Sequence, residues 1–267
     1  MKKVVLITGA SSGIGRSLAL QAAKKGYDLA IIARNENNLN AVAAACRALG
    51  AKVSVTVGDV SIYSDCERFI QTALHEFGAF HILINNAGLS MRAVFSETDI
   101  KVIETLMAVN FWGTIYCTRL AMEELLKHNG SVVGISSVAG FKGLPGRTGY
   151  SASKFAMNGF LESLRTENLH TGLHVLIASP GYTKSNIRKT ALNAHGEAQE
   201  ETPLHEDKLM HPDVVARLIW KAIEKRRKYL IMTPLGKAFL FVNKIWPRLA
   251  DYLAFNFIRK EPGSPFH

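Results

Sequence analysis

The 267-residue sequence predicts a single α/β domain, a doubly wound parallel sheet of about seven strands with helices on both faces, followed by an amphipathic helical tail. Short apolar runs rich in β-branched residues alternate with longer amphipathic stretches from end to end, the pattern of strand–helix–strand units. The first run, Val4-Val5-Leu6-Ile7, leads straight into a glycine-rich turn and a helix-like stretch from Arg16 to Ala23. No low-complexity linker or internal repeat interrupts the series, and the length suits one large α/β unit with right-handed crossovers.

The first strand, near 4–8, ends in the turn Gly9-Ala10-Ser11-Ser12-Gly13-Ile14-Gly15. Its G-x-x-x-G-x-G spacing differs from the G-x-G-x-x-G fingerprint, but its position between a first strand and a helix is that of a dinucleotide site. Such a turn lets the backbone approach a pyrophosphate, and the free N–H groups and positive dipole end of the helix hold its charge. The second strand, near 28–33, selects the dinucleotide. An offset of about 20 residues from the glycines, usual for a ribose-binding acid, lands on Asp28, which begins the strand. Ligands lie beyond the carboxyl ends of strands, and there the chain reads Ala33-Arg34-Asn35. A guanidinium suits a 2′-phosphate and no carboxylate opposes it, so the expected cofactor is NADP(H), read by Arg34 with Ser11 or Ser12 assisting. The bland alternative for Arg34 is a solvated residue at a helix start.

The third strand, near 53–57, runs into Gly58-Asp59-Val60, and the fourth, near 81–85, into Asn86-Ala87-Gly88. Asn110 follows in Met-Ala-Val-Asn-Phe-Trp-Gly, and the fifth strand, near 131–136, ends in Ser136-Ser137. Thirteen residues beyond Ser137, Tyr150 and Lys154 stand four apart, so on a helix they share one face. A tyrosine titrates near ~10, and a cation beside it favours the phenolate, which makes the pair a candidate general acid and base. The sixth strand, near 174–179, runs into Pro180-Gly181-Tyr182-Thr183, and the seventh lies near 229–232.

In this order, from residue 4 to about 233, the motifs closely resemble the short-chain dehydrogenase/reductase family, whose fold is of the Rossmann type. The resemblance implies that Tyr150 is the catalytic acid/base and that Lys154 lowers its pKa while binding the nicotinamide ribose. It implies that Ser137 hydrogen-bonds the substrate oxygen; Ser136 is its rival, and only the interval to Tyr150 prefers Ser137. Asn110 would hold a water in a proton relay from Lys154, or else merely stabilise a helix bend. Asp59 would contact the adenine, or else cap the helix near Ser61. Asn86, Ala87 and Gly88 would flank the adenine ribose, and Thr183 would meet the carboxamide side of the nicotinamide. Val60, Pro180 and Gly181 complete the cofactor set. Such chemistry needs no metal, and the nine histidines show no ligand spacing: His170 and His174 straddle Thr171-Gly172, a helix stop.

Residues 1–234 are expected to form the cofactor and catalytic domain; 184–212 are polar and without a clear period, and the resemblance implies that this segment is a substrate lid contributing Ile187 and Leu192, the alternative being an ordinary surface loop. Leu144 and Tyr182 should join Ser137 and Tyr150 at the substrate, with Met91 near the mouth. Cys46, Cys66 and Cys117, in separate helical stretches without C-x-x-C spacing, read as reduced thiols. Lys2 and Lys3 precede only four apolar residues, too few for a signal-peptide core, and a cytoplasmic location is expected.

Residues 235–267 form the extension. From Arg217 to Lys260 there are eleven basic residues against two acids, so this stretch carries +9 of the chain's +10. Lys244, Pro247, Arg248 and Asp251 interrupt its apolar run, so two amphipathic helices meeting at Pro247 are expected rather than a membrane span. They could cover the substrate pocket, form a subunit contact, or give peripheral attachment to an anionic membrane through 235–260. Nucleic-acid binding is disfavoured, because the charge is interleaved with apolar bulk. The expected function is NADP(H)-dependent hydride transfer between the nicotinamide and a carbonyl or secondary alcohol, reducing an apolar, lipid-like ketone in a homodimer or homotetramer. The family's candidates include 3-keto-sphingoid bases, 3-oxoacyl chains, steroids and retinoids. A rival from another class is a non-enzymatic NADP(H)-sensing or membrane-associated scaffold that keeps the fold; the set Asn110, Ser137, Tyr150 and Lys154 argues against it, since a sensor needs no acid/base.

Overall fold

The computed structural model describes residues 2–200 and 209–266. Strands β1 (Val4–Thr8), β2 (Asp28–Ala33), β3 (Val53–Val57), β4 (Ile82–Asn85), β5 (Ser131–Ile135), β6 (His174–Ser179) and β7 (Tyr229–Ile231) form one parallel sheet, in the order β3-β2-β1-β4-β5-β6-β7. Each lies within one residue of its expected bounds. Between them run α1 (Gly13–Lys24), α2 (Glu36–Ala48), α3 (Tyr63–Phe77), α4 (Ile100–Leu106), α5 (Gly113–Lys127), α6 (Thr148–Glu167) and α7 (Pro212–Glu224).

Helices cover both faces, which is why the strands read as continuous apolar runs rather than alternating ones. Val5, Ile7, Leu29 and Ile31 point to one face and pack with Leu18 of α1, Leu39 of α2 and Trp220 of α7. Val4, Leu6, Ala30 and Ile32 point to the other and pack with Phe69 of α3, Cys117 of α5 and Leu161 of α6. All three cysteines are buried and free.

Two features position the site. The chain winds outward from β1 to β3 and returns to β4 on the other side of β1, so the carboxyl ends of β1 and β4 border the crevice where such sheets take ligands. Between α4 and α5 the helix passes through a π-helical turn, Met107–Trp112, which carries Asn110.

The tail forms α8 (Pro234–Ile245) and α9 (Pro247–Arg259), broken at Trp246 as Pro247 requires, each opening with proline in its first turn. No helix among the described residues is long and apolar enough to cross a membrane.

Candidate active site

A single cavity of about 1050 Å³ runs along the carboxyl ends of the strands, from the glycine turn past Tyr150 to α8 and α9. Every residue expected at the cofactor lines it. At one end Gly9 has φ +64°, and a Cβ there would stand 2.8 Å from Ala87 Cα; on Gly15 it would stand 2.2 Å from the Gly9 carbonyl oxygen. Asn86 Nδ2 donates to the carbonyls of Thr8 (2.9 Å) and Gly9 (3.1 Å), while Thr8 Oγ1 accepts from the N–H groups of Asn86 and Ala87, both at 3.0 Å. Asn86 therefore braces the turn. Ser12, the residue before α1, makes no side-chain cap, which leaves N–H groups of the first turn available to an anion. A diphosphate fits this cradle.

At the end of β2, Arg34 Nη1 lies 3.6 Å from Asp59 Oδ2 and its side chain is 63% exposed. Asp59 Oδ1 also accepts from Ser61 N–H (2.9 Å) and Ser61 Oγ (2.8 Å), a turn ahead of α3 rather than a cap on it, since α3 starts at Tyr63 without a side-chain cap, and Asp59 lines the cavity.

Tyr150 and Lys154 follow the start of α6, one turn apart. Lys154 Nζ is buried, donates to the Ile135 carbonyl at 2.8 Å and lies 5.9 Å from the Tyr150 ring centre. Burial lowers its pKa to about 8. The expectation that Lys154 would pull Tyr150 down is not met. Burial raises the phenol's pKa, and the Ser137 hydroxyl beside it and the Arg147 guanidinium offset this only in part, so Tyr150 holds its proton at neutral pH. The two serines separate: Ser137 Oγ adjoins the phenol and accepts from Ala139 N–H (3.2 Å), whereas Ser136 Oγ is buried without a partner.

Asn110 is the one expected catalytic residue that does not line the cavity. Its Oδ1 accepts from Leu89 N–H (2.8 Å), and its Nδ2 donates to the Leu89 carbonyl (2.9 Å) and Ser153 Oγ (2.8 Å), tying the loop after β4 to α6. Its main-chain carbonyl accepts from Thr114 Oγ1 at 2.9 Å.

The family model described as short chain dehydrogenase matches residues 3–195. The chain belongs to the short-chain dehydrogenase family. This dehydrogenase is 36% identical over 255 residues to "11-beta-hydroxysteroid dehydrogenase-like 2" of Arabidopsis thaliana, covering 94% of this chain and 80% of that one. It is 43% identical over 207 residues to "11-beta-hydroxysteroid dehydrogenase A" of Arachis hypogaea, covering 76% of this chain and 59% of the relative, so the dehydrogenase spans little more than half of that protein. A solved short-chain dehydrogenase/reductase from Burkholderia phymatum, in complex with NAD, superposes with a TM-score of 0.82 at 27% identity, covering 93% of this chain and 95% of that one. The protein is thus an oxidoreductase of a family that uses NAD(P)(H) on small carbonyl or alcohol substrates.

The half of the dehydrogenase's cavity away from the glycine turn brings together Leu144, Tyr182 and Ile187, and adds Leu235, Phe239, Leu253 and Phe257 from the tail. Two expectations are corrected. Met91 is fully buried, its Sδ accepting from Gly149 N–H, so it forms cavity wall and not mouth. Leu192 does not line the cavity; its backbone pairs with Ser90 and Arg92, which turns its side chain into the core. These pairings anchor the first half of the expected lid, while 201–208 lie outside the described residues.

Sequence reasoning missed Arg92, Arg147 and Glu261. Arg147 Nη2 donates to Glu261 Oε2 at 2.8 Å, with Arg92 Nε 3.9 Å from the same oxygen; the carboxylate is buried and both arginine side chains are largely so, each 12% exposed. The available signal was that Glu261 is the last acid of the chain, alone at the end of a basic tail.

Proposed function

We propose that this dehydrogenase uses NADP(H) to reduce an apolar, lipid-like ketone, with Tyr150 as the acid. The observation that carries the reading is the position of the Tyr150 phenol, beside Ser137, at the junction of the glycine cradle and the apolar half of the cavity. When bound, the nicotinamide supplies the hydride. Tyr150 delivers its proton to the developing alkoxide, and the Ser137 hydroxyl donates to the same oxygen. Lys154 holds the ribose and Arg34 the 2′-phosphate. Phe239, Leu253 and Phe257 exclude water from the reacting carbonyl. The test is oxidation of NADPH, against NADH, with a panel of ketones graded from short and water-soluble to long and apolar. Turnover restricted to small polar ketones, or equal turnover with NADH, overturns the reading.

With Lys154 near 8 rather than the ordinary 10.5, its ammonium fades as pH rises through about 8. NADPH affinity should therefore weaken above that pH. In Lys154→Met it should be weaker throughout and flat across the same range, read by fluorescence titration. The sign for folding is the reverse: the unfolded lysine binds the proton more tightly, so this group lowers stability below pH 8 and the penalty fades between about 8 and 10.5.

The tail's outer face favours peripheral attachment to an anionic membrane. Leu235, Phe241, Trp246 and Tyr252 are each more than 60% exposed, interleaved with exposed Lys237, Lys244, Arg248, Arg259 and Lys260. Leu235, Leu253 and Phe257 are both exposed and on the cavity wall, so an apolar substrate in the bilayer could enter without crossing water. The protein should pellet with anionic vesicles and be released as salt rises, since screening shortens the reach of the basic cluster to roughly 8 Å at physiological salt. No pelleting at low salt means that the face is covered by protein, as in the homodimer or homotetramer that the family's usual habit suggests.

A further inference from the structure

We propose that Glu261 is a positioning residue, a carboxylate latch by which the C-terminal segment ties together three walls of the substrate cavity and orients the start of the Tyr150 helix. The proposal rests on the reading of this cavity as the substrate site. Arg92 comes from the loop after β4, Arg147 immediately precedes α6, and Tyr182 comes from the loop after β6; all three line the cavity. One carboxylate meets them all. Oε2 takes the Arg147 bond at 2.8 Å and faces Arg92 Nε at 3.9 Å, while Oε1 accepts from the Tyr182 hydroxyl at 3.3 Å.

The segment around Glu261 is built to hold it there. Glu261 N–H donates to the Ile258 carbonyl at the end of α9, and the Pro262 carbonyl accepts from Arg92 Nη2 at 2.5 Å. Phe266 packs edge-on against Phe255, its ring close to Gly146 in the loop that leads into α6. Tyr182 stacks on Phe257, ring centres 6.0 Å apart. The walls and the tail therefore meet at one buried carboxylate.

Charge makes the arrangement obligatory. Among the described residues Glu261 is the only carboxylate paired with Arg92 or Arg147, and Arg92 Nε and Arg147 Nη1 have no hydrogen-bond acceptor at all. Without Glu261 two largely buried guanidinium groups would face each other uncompensated, a situation that proteins relieve by moving a group into water. Moving Arg147 moves the residue that opens the Tyr150 helix. Arg147 also acts on the Tyr150 phenol, so Glu261, by holding Arg147 in place, reaches the reacting group through it.

The test compares Glu261→Gln and Glu261→Asp with the parent, full length. Hydrogen–deuterium exchange should speed up by about tenfold or more across 257–266 in Glu261→Gln, together with the segments around Arg92 and Arg147, because local opening sets exchange. NADPH affinity should stay within about twofold. For the apolar ketone, kcat/KM should fall about tenfold or more, and the alkaline limb of the rate should move to higher pH, since an Arg147 that swings toward water no longer favours the phenolate. A merely structural role would leave that limb in place. Exchange and NADPH binding need no ketone, so they report on the latch even if no ketone in the panel is reduced. Parent-like exchange at the three walls, or an unmoved limb, overturns the proposal. Should Glu261→Gln not fold, Glu261→Asp, which keeps the charge but shortens its reach, should loosen the same segments to a smaller degree; parent-like exchange in it overturns the proposal equally.

Discussion

Replacing Tyr150 by Phe should lower kcat by about 10²-fold or more while leaving NADPH affinity nearly intact. The phenylalanine keeps the ring against the cavity wall and removes only the hydroxyl beside Ser137. What is lost is therefore a proton needed in the transition state and not a binding surface, and the effect should fall on kcat more than on KM. The structure sharpens the expectation, since burial raises the phenol's pKa and so keeps the hydroxyl protonated at neutral pH. The parent's reductive rate should accordingly hold across neutral pH and decline only on the alkaline side. Steady-state kinetics with the best ketone of the panel, beside an NADPH titration, decides it: a variant that reduces that ketone at the parent rate removes Tyr150 from the mechanism.

Replacing Arg34 by Asp should raise the NADPH dissociation constant by about 10- to 100-fold, equivalent to one charge-assisted hydrogen bond of roughly 1.5–3 kcal/mol. NADH affinity should change little. The new carboxylate would face both the 2′-phosphate and Asp59, whose Oδ2 now lies 3.6 Å from the guanidinium, so NADPH would meet two negative groups where it had met a compensated pair. Fold stability should hardly move, because an ion pair with its arginine largely exposed contributes little. Titration of both dinucleotides against parent and variant gives the answer, and unchanged NADPH affinity would sink the assignment of Arg34.

Much of this was legible in the sequence because the signals are local. The strands are buried on both faces and therefore appear as β-branched runs, and the glycine turn is specified by backbone that no side chain could replace at Gly9 or Gly15. Tyr150 and Lys154 share a helix face by spacing alone, and Pro247 divides the tail by removing a backbone donor.

The tertiary structure decided what depends on environment or on contacts between distant segments. Whether Lys154 or burial governs Tyr150 is a contest between a charge 5.9 Å from the ring and a desolvation penalty, and no spacing reveals the second. Ser136 and Ser137 are chemically identical neighbours that extended backbone turns to opposite sides. Met91 and Leu192 read as pocket residues until backbone pairing between their loops carries them into the wall and the core. Glu261 lies 114 residues from Arg147, and the two meet only because the tail folds back across the carboxyl ends of the sheet. Local pattern thus determined the elements and the order of the chemistry, whereas burial and long-range return of the chain determined protonation, the shape of the cavity and the carboxylate that holds its walls.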